Sequence, residues 1–119
     1  MNNFKQQGGT IRYTAGSDIA SGAVVVAGIL VGVAIADIAN GAQGAVQIEG
    51  VFELPKATGG ALTQGAPAIW DISDSKVIGT GAGAGDIVGF GVVLETAGSD
   101  AETVLVKLTP GAGTVQGGG

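Results

Sequence analysis

Residues 23–35 read AVVVAGILVGVAI, thirteen apolar residues without a break. A bilayer span needs about 20 such residues, so the run falls short, and the GxxxG spacing of Gly28 and Gly32 inside it does not change that. Nor does it read as a signal peptide, because 22 largely polar residues including Asp18 come first and the start carries only Lys5 ahead of Arg12. Short Val/Ile-rich runs bounded by turn residues are buried strands. Ser21-Gly22 closes the turn before this one, and a glycine inside a strand marks a bend or bulge, so the run predicts two strands pivoting at Gly28.

The chain on either side reads the same way. Residues 10–15 (TIRYTA) alternate as a strand should, and 37–44 (DIANGAQG) is loop, with Asn40-Gly41 a strong tight-turn pair. In 45–54 (AVQIEGVFEL), Val46 and Ile48 face one way and Gln47 and Glu49 the other until Gly50 breaks the register, which predicts one bulged or bent strand ended by Pro55. Residues 61–66 have room for a single helical turn, and further strands are expected at 68–72, 76–78, 86–94 and 102–108. No segment forms an amphipathic helix, because glycine recurs too often and the apolar residues are mainly β-branched. The expected fold is all-β: a small single-domain β-barrel or β-clip-like sandwich over 10–109, with an extended N-terminal arm (1–9) and a flexible Gly-rich tail (110–119). Val24 to Val26, Ile29, Val31, Val33, Ile48, Phe52, Trp70, Val92, Val104 and Val106 are the expected buried set. Residues 31–49 set against 90–108 share only Gly32/Gly91, Val33/Val92 and Ala42/Ala101, three of nineteen positions, which a chain this rich in Gly, Val and Ala reaches by chance.

Composition excludes several functions. Of 119 residues, 24 are Gly and 18 are Ala, and charged residues are 13%. Five scattered cations against ten carboxylates give a net charge of −5 and no basic patch, which excludes a nucleic-acid partner. Cys and His are both absent, so thiolate sites, thiol nucleophiles and the commonest general base are missing.

The chemical motif fragments dissolve in context. GTGAGA at 79–84 satisfies G-x-G-x-x-A, but a strand pattern follows it rather than the helix N-terminus that would hold a pyrophosphate. No Gly-Lys pair exists to form a P-loop. Ser73 and Lys76 have S-x-x-K spacing, which needs a helix and here falls in a turn. Asp71, Asp74 and Asp86 could gather round a hard cation, yet they lack EF-hand spacing and each suits a turn. Glu49 and Glu53, four apart on a strand, stand about 13 Å from one another. No catalytic, cofactor-binding, metal-binding or small-molecule substrate site is expected. Phe52, Leu54 and Trp70 are expected as core or interface anchors, being among the few large apolar side chains.

GVFELPK at 50–56, followed by Ala57-Thr58-Gly59 and then TQGAPAIWD at 63–71, resembles the capsid cement, or head decoration, family of tailed bacteriophages. Asn3-Phe4, Gln7-Gly8 and Thr10-Ile11 are similar to the start of that family, as are Ser21-Gly22 before the apolar run and Ile87-Val88-Gly89 before Gly91-Val92. The resemblance covers residues 2–109. Some members carry a recombinase label, which the missing nucleotide-binding loop argues against here. It implies a non-enzymatic virion protein that assembles in the host cytoplasm, forms a homotrimer, and binds the major capsid protein on the capsid exterior to stabilise the shell. Within the polar arm, Asn3, Phe4, Lys5 and Gln6 are then the candidate capsid contacts, because a lone aromatic in a tail has a use when it docks on another protein. The competing expectation is a non-catalytic β-barrel binding module of some other multi-protein assembly.

Overall fold

A computed structural model describes residues 9–116. These residues form ten strands and no helix: β1 (Thr10–Thr14), β2 (Val24–Ala27), β3 (Leu30–Ala34), β4 (Gln43–Gln47), β5 (Gly50–Pro55), β6 (Pro67–Asp71), β7 (Lys76–Ile78), β8 (Ile87–Val93), β9 (Thr103–Leu108) and β10 (Thr114–Val115). The strands make two antiparallel sheets of one domain in a sandwich-like arrangement. The smaller sheet has the order β1-β4-β3-β2, and the larger has the order β5-β9-β8-β6-β7, with β10 added on β8. The larger sheet does not close into a barrel. Its margins touch through a single parallel bridge between Lys56 and Val77.

The apolar run at 23–35 is the β2–β3 hairpin, with Val24 opposite Val33 and Val26 opposite Val31. Gly28 sits at φ +64 and Ile29 does not have a positive φ, as the first and second central residues of a type II′ hairpin turn require. The run is apolar on both faces because both are covered. Val24, Val26, Val31 and Val33 face the core of the larger sheet, built from Leu54, Ala68, Trp70, Val77, Ile87, Phe90, Val93, Val104, Val106 and Leu108. Val25, Leu30 and Ala34 face a second cluster with Ile11, Tyr13, Val46 and Ile48, capped by Ile19 and Ile38. Trp70 meets Phe90 edge-on, with ring centroids 6.2 Å apart and planes at 83°, the geometry that aromatic quadrupoles favour.

Four expectations need correction. Ile29 is exposed, since it occupies the tip of a two-residue turn and not a continuing strand. Residues 45–54 are not one strand, because Gly50, at φ +117, hands the chain from β4 in one sheet to β5 in the other. No helical turn forms at 61–66, where Leu62 is instead bridged to Ala97. The segment after Thr109 is not free throughout: β10 pairs with β8, Gln116 N–H donates to Asp86 O at 2.8 Å, and Gly85 N–H donates to Gln116 O at 2.9 Å. Main-chain pairing needs no side chains, and the bare α-carbon of Gly113 lets the chain pass where a Cβ would stand 3.0 Å from Ile29 O and Ile87 Cγ2.

The structure also repeats itself. Ile19 and Ile38 exchange two main-chain hydrogen bonds at 2.8 Å, and Leu62 and Ala97 exchange two at 2.9 and 2.8 Å. Beside the first bridge, Gly22 N–H donates to Ala34 O and Ala34 N–H to Ala23 O; beside the second, Gly65 N–H donates to Val93 O and Val93 N–H to Ala66 O. Thus β1, β2, β3 and β4 correspond to β5, β6, β8 and β9, and Gly32 and Gly91 fall at the same place in the two units.

Candidate interaction surfaces

Asn3, Phe4, Lys5 and Gln6 lie outside the described residues. The segment that carries them joins the fold at Gly9, whose carbonyl accepts Ile48 N–H at 2.9 Å, beside the junction of β4 and β5. Leu54 and Trp70 are buried in the main core, and Phe52, on the same face of β5 as Leu54, is half-buried against it.

Of the three carboxylates that could gather round a cation, Asp71 and Asp86 accept main-chain N–H groups. Asp71 Oδ1 accepts Ser73 Oγ–H at 2.9 Å and the N–H groups of Ser73 and Asp74 at 3.1 and 3.3 Å, and these bonds hold its carboxyl below the ordinary aspartate range, the Ser73 hydroxyl contributing most. Buried Asp86 accepts Ile72 N–H on Oδ1 at 3.1 Å and Gly83 N–H on Oδ2 at 2.8 Å, pinning the glycine tract at 79–85 to the β6–β7 turn. Among the described residues no group of three Asp or Glu is placed to hold a metal ion. Ser73 sits on the β6–β7 turn and Lys76 opens β7 opposite Asp71, so the pair has no helical spacing.

Sequence reasoning passed over two features. One is Lys56, only 1% exposed, whose ammonium donates to the carbonyls of Ala57 at 2.8 Å and Ala101 at 3.4 Å. It holds the turn after β5 to the turn before β9. The signal available beforehand was its position straight after the β5 proline. The other is a groove of about 420 Å³ between β2 and β6, lined by Val24, Val26, Pro55, Trp70 and Ile72 with no charged side chain. Its lining residues come from three separated segments, so only the folded chain brings them together.

A different groove, of about 290 Å³, is flanked by Glu53 and Glu95 on either side of Leu105, where Glu53 on β5 stands opposite Leu105 on β9. The two surfaces therefore differ in electrostatics, one neutral and apolar, the other acidic. Neither assembles a nucleophile with a base.

Compared with known proteins, the chain matches the family described as phage cement protein over residues 5–108, from the segment before β1 to the end of β9. No curated protein and no solved structure gives a match.

Proposed function

The chain belongs to the phage cement protein family, a structural class of the phage virion associated with the capsid, and from that premise we propose that it binds the outer surface of the shell as a homotrimer and stabilises it. The observation that carries this reading is the extent of the family match, which takes in both repeated units and all of the main core. The partner is the major capsid protein. A shell under pressure from packaged DNA gains from a rigid clamp on its exterior, and a sandwich of short, densely paired strands supplies one.

Attachment runs through the arm, residues 1–9, with Asn3, Phe4, Lys5 and Gln6 as the contacts. Burying one phenylalanine is worth roughly 1.5–3 kcal/mol, about a ten- to hundred-fold change in affinity per arm. Three arms on one trimer multiply that gain through effective concentration. Mixing the purified protein with expanded, undecorated shells and imaging them tests the reading. Deletion of residues 1–8, or Phe4→Ala, is expected to leave the circular dichroism spectrum unchanged and to weaken decoration by at least the single-arm factor. Decoration at undiminished affinity would move the contact from the arm to the loops.

A further inference from the structure

The tight-turn pair Asn40-Gly41 belongs to the first repeated unit and has no part in capsid attachment. It occupies the centre of the turn at 39–42, which Ala42 N–H closes by donating to Ala39 O at 2.9 Å. Gly41 sits at φ +84 and Asn40 has no positive φ, the pattern of a type II turn. Both residues are exposed to water. The corresponding turn of the second unit, closed by Ala101 N–H to Gly98 O at 3.0 Å, carries Ser99-Asp100 in their place.

Asparagine followed by glycine has a chemistry of its own. Hydroxide from solvent removes the proton of the Gly41 amide, and the nitrogen attacks Asn40 Cγ. A C–N bond forms and the Cγ–Nδ2 bond breaks. The leaving nitrogen takes up a proton and departs as ammonia, and a five-membered succinimide remains. Water then opens the ring at one carbonyl or the other, giving aspartate or isoaspartate. Glycine favours the attack because it has no side chain to crowd the nitrogen. Asn2 and Asn3 precede Asn and Phe, which do crowd it, so 40–41 is the one Asn-Gly pair in the chain.

The folded turn holds the reacting atoms apart. Ring closure needs Gly41 N to eclipse Asn40 Cβ about the Cα–C bond, whereas a type II turn sets ψ of its first central residue near +120°, which leaves them about 120° apart. Gly41 N–H also donates to Ala15 O at 2.8 Å, which opposes its deprotonation. Asn40 N–H donates to Asp18 Oδ1 at 2.9 Å and so ties the turn to the loop after β1. Reaction therefore waits on opening of the turn, and exposed turns are among the segments that open at least cost. We propose that Asn40 is a modification site of this chain, converted to aspartate and isoaspartate through openings of the 39–42 turn, with Asp18 as the positioning residue that limits those openings. Both products place a new carboxylate beside Asp18. Isoaspartate also adds a carbon to the main chain between Ala39 and Gly41, so the bonds to Ala39 O and Ala15 O cannot both be kept, and the first unit loses the clasp that the second retains.

Incubation of the full chain at mildly alkaline pH, folded and in urea, tests this, with conversion at Asn40 read by peptide mapping and mass spectrometry. The folded natural chain is expected to convert more than about ten-fold more slowly than the unfolded one, the ratio set by the cost of opening the turn. Asp18→Ala, with unchanged circular dichroism, is expected to convert about three- to ten-fold faster than the natural protein, the range that one lost hydrogen bond gives. Asp18→Asn keeps an acceptor and is expected near the natural rate. Equal rates in the folded and unfolded chain would overturn the control by the turn, and an unreacted Asn40 in urea would remove the site. Asp18→Ala at the natural rate, or Asp18→Asn as fast as Asp18→Ala, would remove the role of the Asp18 hydrogen bond. If Asp18→Ala fails to fold, the natural chain with and without urea still decides whether the turn governs the reaction. Shells play no part in these measurements, so their outcome is separate from the capsid reading.

Discussion

The unit of β1 to β4 and the unit of β5, β6, β8 and β9 share a main-chain plan and lock it with different side chains. In the first, Asp37 Oδ1 accepts Ser21 N–H at 2.8 Å and Asp18 Oδ1 accepts Asn40 N–H at 2.9 Å, a reciprocal pair about the Ile19–Ile38 bridge. In the second, Thr96 Oγ1 takes the place of Asp37, accepting Gln64 N–H at 3.0 Å, and Gly59 N–H reaches Ser99 O directly at 2.8 Å. Ala15 and Lys56 also correspond, donating N–H to Ala42 O and Glu102 O. Both are buried, but one carries a methyl and the other an ammonium that ties two further carbonyls. The first unit packs aliphatic side chains and one tyrosine; the second holds Trp70, Phe90 and Phe52, and adds β7 and β10. What is preserved is the set of backbone hydrogen bonds, and side chains are free to vary wherever those bonds are kept.

The sharpest way to break that correspondence is through its shared glycine. A Cβ at Gly32 would stand 2.6 Å from both Val46 Cγ1 and Gln47 O, and a Cβ at Gly91 would stand 2.5 Å from Val106 Cγ1 and 2.6 Å from Lys107 O. A paired carbonyl cannot withdraw without loss of the ladder, so the methyl group must displace a strand. Gly91→Ala is expected to cost more than about 3 kcal/mol, the upper range for overpacking. Gly32→Ala should cost nearly as much if the two units unfold together. Urea unfolding followed by Trp70 fluorescence, which reports the second unit, and by far-UV circular dichroism, which reports both, is expected to give coincident curves. Separated curves for Gly32→Ala would show that the units melt independently.

The same glycines explain what could be read in the sequence and what could not. Strand positions were legible because turn pairs such as Asn40-Gly41 and β-branched runs such as Val24 to Val26 are local signals. The internal repeat was not, because its requirements fall on main-chain bonds and on two missing Cβ atoms; only three identities remain in nineteen positions. β10 was missed for a related reason: Thr114 and Gln116 contribute main-chain pairing, and Gly113 the lack of a Cβ, none of which composition registers. The neutral surface draws Val24, Pro55 and Ile72 from three strands' neighbourhoods, and no sequence period joins them.

A smaller effect is expected where Lys56 replaces the alanine of the first unit. Hydrogen bonds from a charged donor are worth about 1.5–3 kcal/mol each, against a desolvation penalty of several kcal/mol for a buried ion. Lys56→Met keeps most of the stem and removes both terms, while leaving the carbonyls of Ala57 and Ala101 without their donor. A net loss of about 1–2 kcal/mol is expected, the unsatisfied carbonyls outweighing the relief of desolvation. Lys56→Ala should cost about 3 kcal/mol, since stem packing is lost as well. If Lys56→Met unfolded at the natural urea midpoint or above it, the ammonium would be a net burden and the second unit would need no more at this position than the first has at Ala15.

The smallest effect belongs to the β6–β7 hairpin, which has no counterpart in the first unit and so isolates an added element from the shared plan. Asp71 accepts one hydroxyl and two N–H groups from its own turn, which lowers its carboxyl below the ordinary range of about 3.9. A group whose folded pKa is depressed contributes stability that is complete above the unfolded value and disappears as the pH falls through the folded one. At neutral pH the turn therefore has its full share, and the share is lost only below about pH 4. Ser73 supplies the largest cause of the shift, so Ser73→Ala should raise the Asp71 pKa toward the ordinary value, as read from its carboxyl shift in an NMR titration. Thermal unfolding of the natural protein and Ser73→Ala should differ slightly at pH 7 and converge as the pH falls below 4, because protonated Asp71 no longer distinguishes them. A difference that stayed constant from neutral pH to pH 3 would mean that the serine acts through packing of the turn rather than through the charge of Asp71.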